Sequence, residues 1–459
     1  MTAEELKELE YKKQTVYEAK ASTDVDSAFA YAEGYVRFLD AAKTEREAVK
    51  TAIKLAQAEG FSEWKLGDRI EKGGKYYFNN RGKNLFLFSV GTESPAEGIR
   101  ISAAHIDSPR LDLKQVPVYE DNGICYLKTH YYGGIRKYQW LALPLALHGT
   151  VVTADGRCAE VEIGEKEDDP VFCITDLLPH LASKDNAKPL GDAVPAEKLN
   201  LLAGSRPAAD IADGVRLNIL GILYDRFGIK EEDLLSAELC AVPAGRARDC
   251  GLDRSMISAY GHDDRVCAYP ALTALFESAG GPHTLMCVLA DKEEVGSDGN
   301  TGMQCELILD IIDEISAASG CSPAAVRSAS ICLSADVSAA FDPNFSDVFE
   351  KRNSALLSCG VVLTKYTGSR GKSGTNDASA EYIGRLRGMM AKDGVVWQAG
   401  ELGKVDGGGG GTVAKFISKH NIETVDLGVP VLSMHAPFEI ISKVDLYEAH
   451  RAFSAFNRY

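Results

Sequence analysis

Four short apolar runs in this chain stop on a histidine or an acid. Ile101 to Ala104 ends on His105, Leu285 to Ala290 on Asp291, Ile331 to Ala335 on Asp336, and Pro430 to Met434 on His435. Short apolar runs bounded by polar residues read as buried strands, and buried strands alternating with helical segments read as an α/β sheet. In such a sheet ligands bind beyond the carboxyl ends of the strands, so these residues are expected to converge although His105 and His435 lie 330 positions apart. The second run is the sharpest case, because it continues as Asp291-Lys292-Glu293-Glu294 before reaching Gly296. Adjacent carboxylates at the mouth of a strand repel each other and cost stability. Something cationic is expected there.

A chain of 459 residues exceeds one comfortable domain, so two domains, or one domain carrying an insertion, are expected. Residues 1–114 and 255–459 carry the α/β pattern. Residues 84–90 and 99–107 read as strands, 26–59 as one surface helix closed by Gly60, 265–280 and about 305–318 as helices, and 423–435 as a strand. Between them, residues 115–254 have a different texture, with a hairpin turning at Asp155-Gly156 and a proline- and alanine-rich stretch over 185–215. This segment reads as a largely β insertion.

A formal charge of −16 disfavours nucleic acid and anionic membrane as partners. The opening MTAEELKELEYKKQ lacks the apolar core of a signal peptide, and no run of about 18 apolar residues occurs, so the cytoplasm is the expected compartment. The 11 cysteines form no CxxC pair, which argues for free thiols rather than disulfides or a thiolate zinc site.

What stands at the strand ends is therefore a nitrogen and oxygen donor set: His105, Asp107, Asp263, Asp264, Glu293, Glu294, Asp336 and His435. Taken singly, a histidine there is more often a hydrogen-bonded structural residue and an aspartate more often a helix cap. Together, two imidazoles and several carboxylates without thiolates suit catalytic zinc, manganese or cobalt. A pair of metals would need one shared carboxylate. One glutamate of the adjacent pair can then bind metal while the other stays free as a base. Two other stretches invite a nucleotide reading. SRGKSGT (369–375) lacks the first glycine of a phosphate loop, which would fall on Tyr366, and DGGGGGTVAK (406–415) opens an expected helix that could cradle a phosphate.

The strings HIDSP (105–109), DDR (263–265), DKEEVGS (291–297), SADVSAAFDPN (334–344) and LGVPVLSMH (427–435) resemble, in order, the signatures of the M18 metallo-aminopeptidases, the aspartyl aminopeptidase-like enzymes. The resemblance implies a mixed-sheet zinc-peptidase catalytic domain, interrupted by a mainly β dimerisation domain, and removal of single N-terminal residues from peptides. It implies two divalent ions per subunit, most simply zinc, with manganese or cobalt as alternatives. Asp263 would bridge them, His105 and Asp336 would complete one site, and Glu294 and His435 the other. Glu293 would be the general base, and Asp107 would fix the tautomer of His105. Gly409, Gly410 and Gly411 would approach the peptide. The insertion matches through YYGGI (131–135) and LLPH (177–180), implying a tetrahedral dodecamer built from dimers, in which His180 would reach a neighbouring subunit's site.

The sequence departs from that pattern near the substrate. Asp342 stands where aspartyl-specific members have a histidine, and Phe438 where arginine is common, while Lys365 matches the lysine that reads an acidic side chain. If Lys365 pairs with Asp342, a broader or neutral preference is expected. Two rival readings remain: a non-catalytic scaffold that keeps the fold, against which the intact ligands and base argue, and a nucleotide binder using the glycine run.

Overall fold

The computed structural model describes residues 1–368 and 370–459, so Ser369, the first residue of the 369–375 stretch, lies outside the described residues. Three sheets organise the described residues. The largest has nine strands, and its centre is formed by Thr284–Ala290, Ile99–His105, Ile331–Ser334 and Glu423–Gly428 in that spatial order, each parallel to the next. The first three are buried along their whole length except Arg100, as expected for parallel strands covered on both faces. Because the four point the same way, their carboxyl ends share one edge. The register sets Ala290 beside His105 and Ser334 beside both Ala103 and Asp426. Helices and loops pack one core against each face of this sheet.

A six-stranded sheet, antiparallel throughout, is drawn from Arg110–Asp121, Ile124–Tyr132, Leu145–Val152, Cys158–Ile163, Leu201–Gly204 and Glu238–Pro243. It has its own core, around Leu111, Trp140, Leu147, Ile163 and Leu234. The helix Gly214–Phe227 packs on this sheet, with its Val215 and Arg216 amides donating to Glu120 at 2.9 Å each, a carboxylate placed at the positive end of the helix. The third sheet, of five short strands, joins Arg248–Cys250, Met256–Ala259, Glu439–Ser442, Pro430–Leu432 and Ser338–Ala339. No described helix is long and apolar enough to cross a membrane.

Two sequence expectations need correction. The span 26–59 is two helices, Ser22–Asp40 and Glu45–Ala58. The break is a capping box: Thr44 Oγ1 accepts from the Glu47 amide, and the Glu47 carboxylate accepts from the Thr44 amide. The span 423–435 is not one strand either. It changes sheets at Val429, leaving Glu423–Gly428 in the large sheet and Pro430–Leu432 in the small one.

The second helix meets the six-stranded sheet through a buried ion cluster. His148 donates through Nδ1 to Glu47 at 2.8 Å and through Nε2 to Glu165 at 3.1 Å, with Lys43 Nζ 3.9 Å from Glu165. Burial alone would lower the imidazole's pKa, but the two carboxylates outweigh it and raise it to about 9. A folded-state value above the unfolded one, about 6.5, means that the stabilisation is complete below that pH and is lost as pH rises through about 9. The expected result is that the unfolding free-energy difference between the native protein and His148→Gln shrinks by at most about 3 kcal/mol between pH 6 and 10. Urea titrations across that range measure it, and a difference independent of pH would show that folding leaves the imidazole's titration unshifted.

Candidate active site

The shared strand edge is where the unusual backbone lies. His105 is the last residue of its strand, and the neighbouring strand ends at Ala290. Lys292 then takes φ +66 and Gly296 φ +94, with a single helical turn over Glu293–Val295 between them, so the two glutamates leave the strand together. His435 sits at φ +63, a strained conformation for a residue with a β-carbon. Asp263 opens the helix His262–Ser278 behind Gly261, whose φ of +77 and close approach to Arg265 exclude a β-carbon.

These segments bring six side chains to one point. Asp263 Oδ1 lies 3.1 Å from His105 Nε2, and Asp263 Oδ2 lies 3.2 Å from His435 Nε2. Asp336 is 3.9 Å from His105 Nε2, and Glu294 is 3.6 Å from His435 Nε2. Glu293 joins His105 and Asp336 in a group whose donor atoms all lie within 4.8 Å of one another.

The supports of the two imidazoles are equally specific. His105 Nδ1 lies 3.3 Å from Asp107 Oδ1 and 3.1 Å from the Asp107 carbonyl. Asp107, fully buried, also accepts from the Glu293 and Glu294 amides at 3.1 and 3.2 Å and from the Tyr132 hydroxyl at 2.8 Å. His435 Nδ1 donates to the Gly134 carbonyl at 2.8 Å. With both Nδ1 atoms facing oxygen, both Nε2 lone pairs point towards Asp263. Glu439 accepts from the Asp263 and His435 amides at 3.0 and 2.7 Å.

Lone pairs and carboxylates aimed at one another need a cation between them. Asp263 Oδ1, Asp264 Oδ1 and Glu294 Oε1 are buried without a hydrogen-bond partner, a costly condition that an ion would relieve. Burial, reinforced by Asp263 and the neighbouring carboxylates, pushes Glu294 far above the usual carboxylate range, and burial followed by Glu293 does the same to Asp336. Burial would also raise Asp263, but His105 and His435 hold it low. Burial and Asp263 bring Glu439 to about 8. The donor set, nitrogen and carboxylate oxygen without sulfur, fits zinc, manganese or cobalt.

The cluster floors a cavity of about 510 Å³. Val337, Leu402, Phe416 and Met434 supply apolar wall, Gly409, Gly410 and Gly411 line one side, and Lys415 is the only lysine or arginine among the described lining residues. Three other residues singled out in the sequence are not in this lining. His180 occupies an exposed turn. Lys365 pairs with Asp377 rather than Asp342, and Asp377 also holds Lys372 at 2.8 Å. Asp342 instead caps a helical turn by accepting from the Asn344 amide at 2.9 Å. The sequence reading gave no role at the site to Tyr132 and Gly134, which figured only within the YYGGI match, or to Glu439. Glu439 stands four residues after His435, a spacing that could have flagged it.

Two imidazoles facing one carboxylate where the large α/β sheet meets the small one, at the floor of a cavity, define a metal-dependent hydrolase. Residues 38–457 match the family model described as aminopeptidase I zinc metalloprotease (M18), and the chain belongs to that family. It is 49% identical over 438 residues to a probable M18 family aminopeptidase 1 of Clostridium acetobutylicum, covering 93% of this chain and 94% of the relative. The crystal structure of an M18 family aminopeptidase from Thermotoga maritima superposes with a TM-score of 0.93 at 42% identity, covering 98% and 99% of the two chains. The structure of the S. cerevesiae mApe1 dodecamer shares the fold, with a TM-score of 0.76 at 20% identity over 93% of this chain and 96% of that one. The chain is thus a metallo-aminopeptidase, which hydrolyses the N-terminal peptide bond of peptides.

Proposed function

We propose that this aminopeptidase works with two divalent ions per subunit, most simply zinc. The observation that carries the reading is Asp263, each of whose oxygens faces a different imidazole, at 3.1 and 3.2 Å. His105 and Asp336 would hold one ion with Asp263, and Glu294 and His435 the other. When bound, such ions polarise the scissile carbonyl and acidify water. The side chains do the rest. Glu293, free of the ligand set, takes the proton of the attacking water and delivers it to the leaving amine. Asp107 keeps the proton of His105 on Nδ1. The glycine run Gly409–Gly411, having no side chains, lets the peptide backbone lie close to the wall.

The wall also bears on preference. Lys365 is occupied by Asp377, and much of the lining is apolar, which supports cleavage after neutral N-terminal residues. Leucine- and methionine-linked substrates are expected to be cleaved at least as well as aspartate-linked ones. Elemental analysis of unchelated protein, combined with kcat/KM on Asp-, Glu-, Leu- and Lys-linked substrates, tests both parts. One equivalent of metal would sink the two-ion reading, and a strong aspartate preference surviving Lys365→Ala would sink the preference.

Residues 115–254 we assign as a dimerisation domain between the two catalytic segments, a reading supported by the separate core of the six-stranded sheet. We further propose that the chain assembles into a dodecamer in the cytoplasm, the assembly being a reading supported by the fold shared with the mApe1 dodecamer. His180, exposed within the chain, would then hydrogen-bond the reaction's oxyanion in a neighbour's cavity. His180→Ala is expected to lower kcat roughly 10²–10³-fold without changing assembly. An active monomer by light scattering, or a variant with native kcat, would refute this role.

A further inference from the structure

One strand of the six-stranded sheet runs straight into the metal-ligand cluster that the other two sheets carry. Ile124–Tyr132 pairs with Arg110–Asp121 as far as Tyr132 opposite Arg110, and the next three residues are Gly133, Gly134 and Ile135. The Tyr132 hydroxyl donates to Asp107 Oδ2 at 2.8 Å. Its ring is held by the Arg110 guanidinium, 4.2 Å from the ring centroid, and Arg110 is fixed by Glu45 and Asp112 at 2.8 Å each. Gly133, at φ +72, lies so close to Glu294 that a β-carbon there would sit 3.2 Å from its Cβ and Oε2. The Gly134 carbonyl accepts from His435 Nδ1 at 2.8 Å. Three consecutive residues therefore touch the carboxylate behind one imidazole, a ligand carboxylate, and the other imidazole.

We infer that Tyr132-Gly133-Gly134 is the positioning clamp of the metal centre, and that Tyr132, acting through Asp107, sets the cation affinity of the half served by His105. The inference rests on the ligand assignment proposed above. Apart from His105, Tyr132 is the only side chain among the described residues to hydrogen-bond Asp107, whose other partners are the two backbone amides. Removing the hydroxyl leaves Asp107 Oδ2 with the Glu294 amide at 3.2 Å, so the carboxylate gains freedom to turn from His105. Loss of a direct partner of a ligating histidine costs 10–100-fold in metal affinity or activity as a rule, and Tyr132 acts one contact further out, so about 10-fold is expected.

Zinc dissociation constants of the full chain, measured for each equivalent by competition with a chromogenic chelator, decide the matter. Tyr132→Phe keeps the ring against Arg110, and should weaken one equivalent about 10-fold while leaving the other, and the melting temperature of the chelated protein, unchanged. Gly133→Ala puts a β-carbon at positive φ against Glu294 and should weaken the other equivalent. Native zinc affinities in Tyr132→Phe would overturn the clamp, and so would a loss matched by equal destabilisation of the chelated protein. If the native chain takes up only one equivalent, the two-ion reading falls, and the clamp then stands or falls on whether Tyr132→Phe weakens that one. Should Gly133→Ala not fold, Tyr132→Phe decides alone.

Discussion

Glu293→Gln should bind zinc as tightly as the native chain and turn over substrate roughly 10²–10⁴-fold more slowly, the range for loss of one general base. Glutamine preserves the size of the side chain and its place beside His105 and Asp336, so the cavity keeps its shape. What it loses is the ability to accept a proton from water and pass it on. The loss should appear in kcat with KM little changed, because the proton moves only in the transition state. Glu294→Gln is the natural control, because a neutral amide facing His435 should cost metal affinity first. Steady-state kinetics with parallel metal analysis separates the two variants, and a Glu293→Gln enzyme with native kcat would remove this residue from the mechanism.

Asp263→Asn should release metal from both halves of the site. An amide cannot offer two anionic oxygens, and here each oxygen faces a different imidazole. Losses of 10–100-fold are usual when a residue behind a ligand is changed, so a shared ligand should cost more than about 100-fold in both dissociation constants. Activity should vanish with the metal and return only at high zinc concentration. Retention of one full equivalent with native affinity would show that the carboxylate serves a single ion.

The strand ends were legible in the sequence because parallel interior strands must be apolar along their whole length, so a histidine or acid after one is conspicuous. His105 and Asp336 stood out for that reason, His435 because it follows a short apolar run of the small sheet, and Asp263 and the Glu293-Glu294 pair through the company they keep. Glu439 went unread because its work is to accept two backbone amides rather than to face the cluster, and only its place four residues after His435 hinted at it. Tyr132 was read only as part of the insertion, since its contact with Asp107 depends on how one sheet meets another. Lys365 was given the wrong partner for a similar reason: Asp377 lies on a loop twelve residues away, and nothing in the pattern favoured it over Asp342. The helix break at Thr44 was legible, for Thr44-x-x-Glu47 is a capping box, but the apolar periodicity continues across it and masked the signal.

The parallel centre of the large sheet has a consequence for how the ion enters. The residues that face one another across the cluster come from His105, Asp263, the 293–294 turn, Asp336 and His435, so no short segment presents more than a fraction of the donors. Small zinc modules gather their ligands from one local stretch and fold around the ion. Here the donors meet only after strands distant along the chain have docked, and long-range pairings of that kind form late. An ion held there would therefore be a passenger boarding a finished sheet, and its capture would mark the moment at which the chain becomes an enzyme.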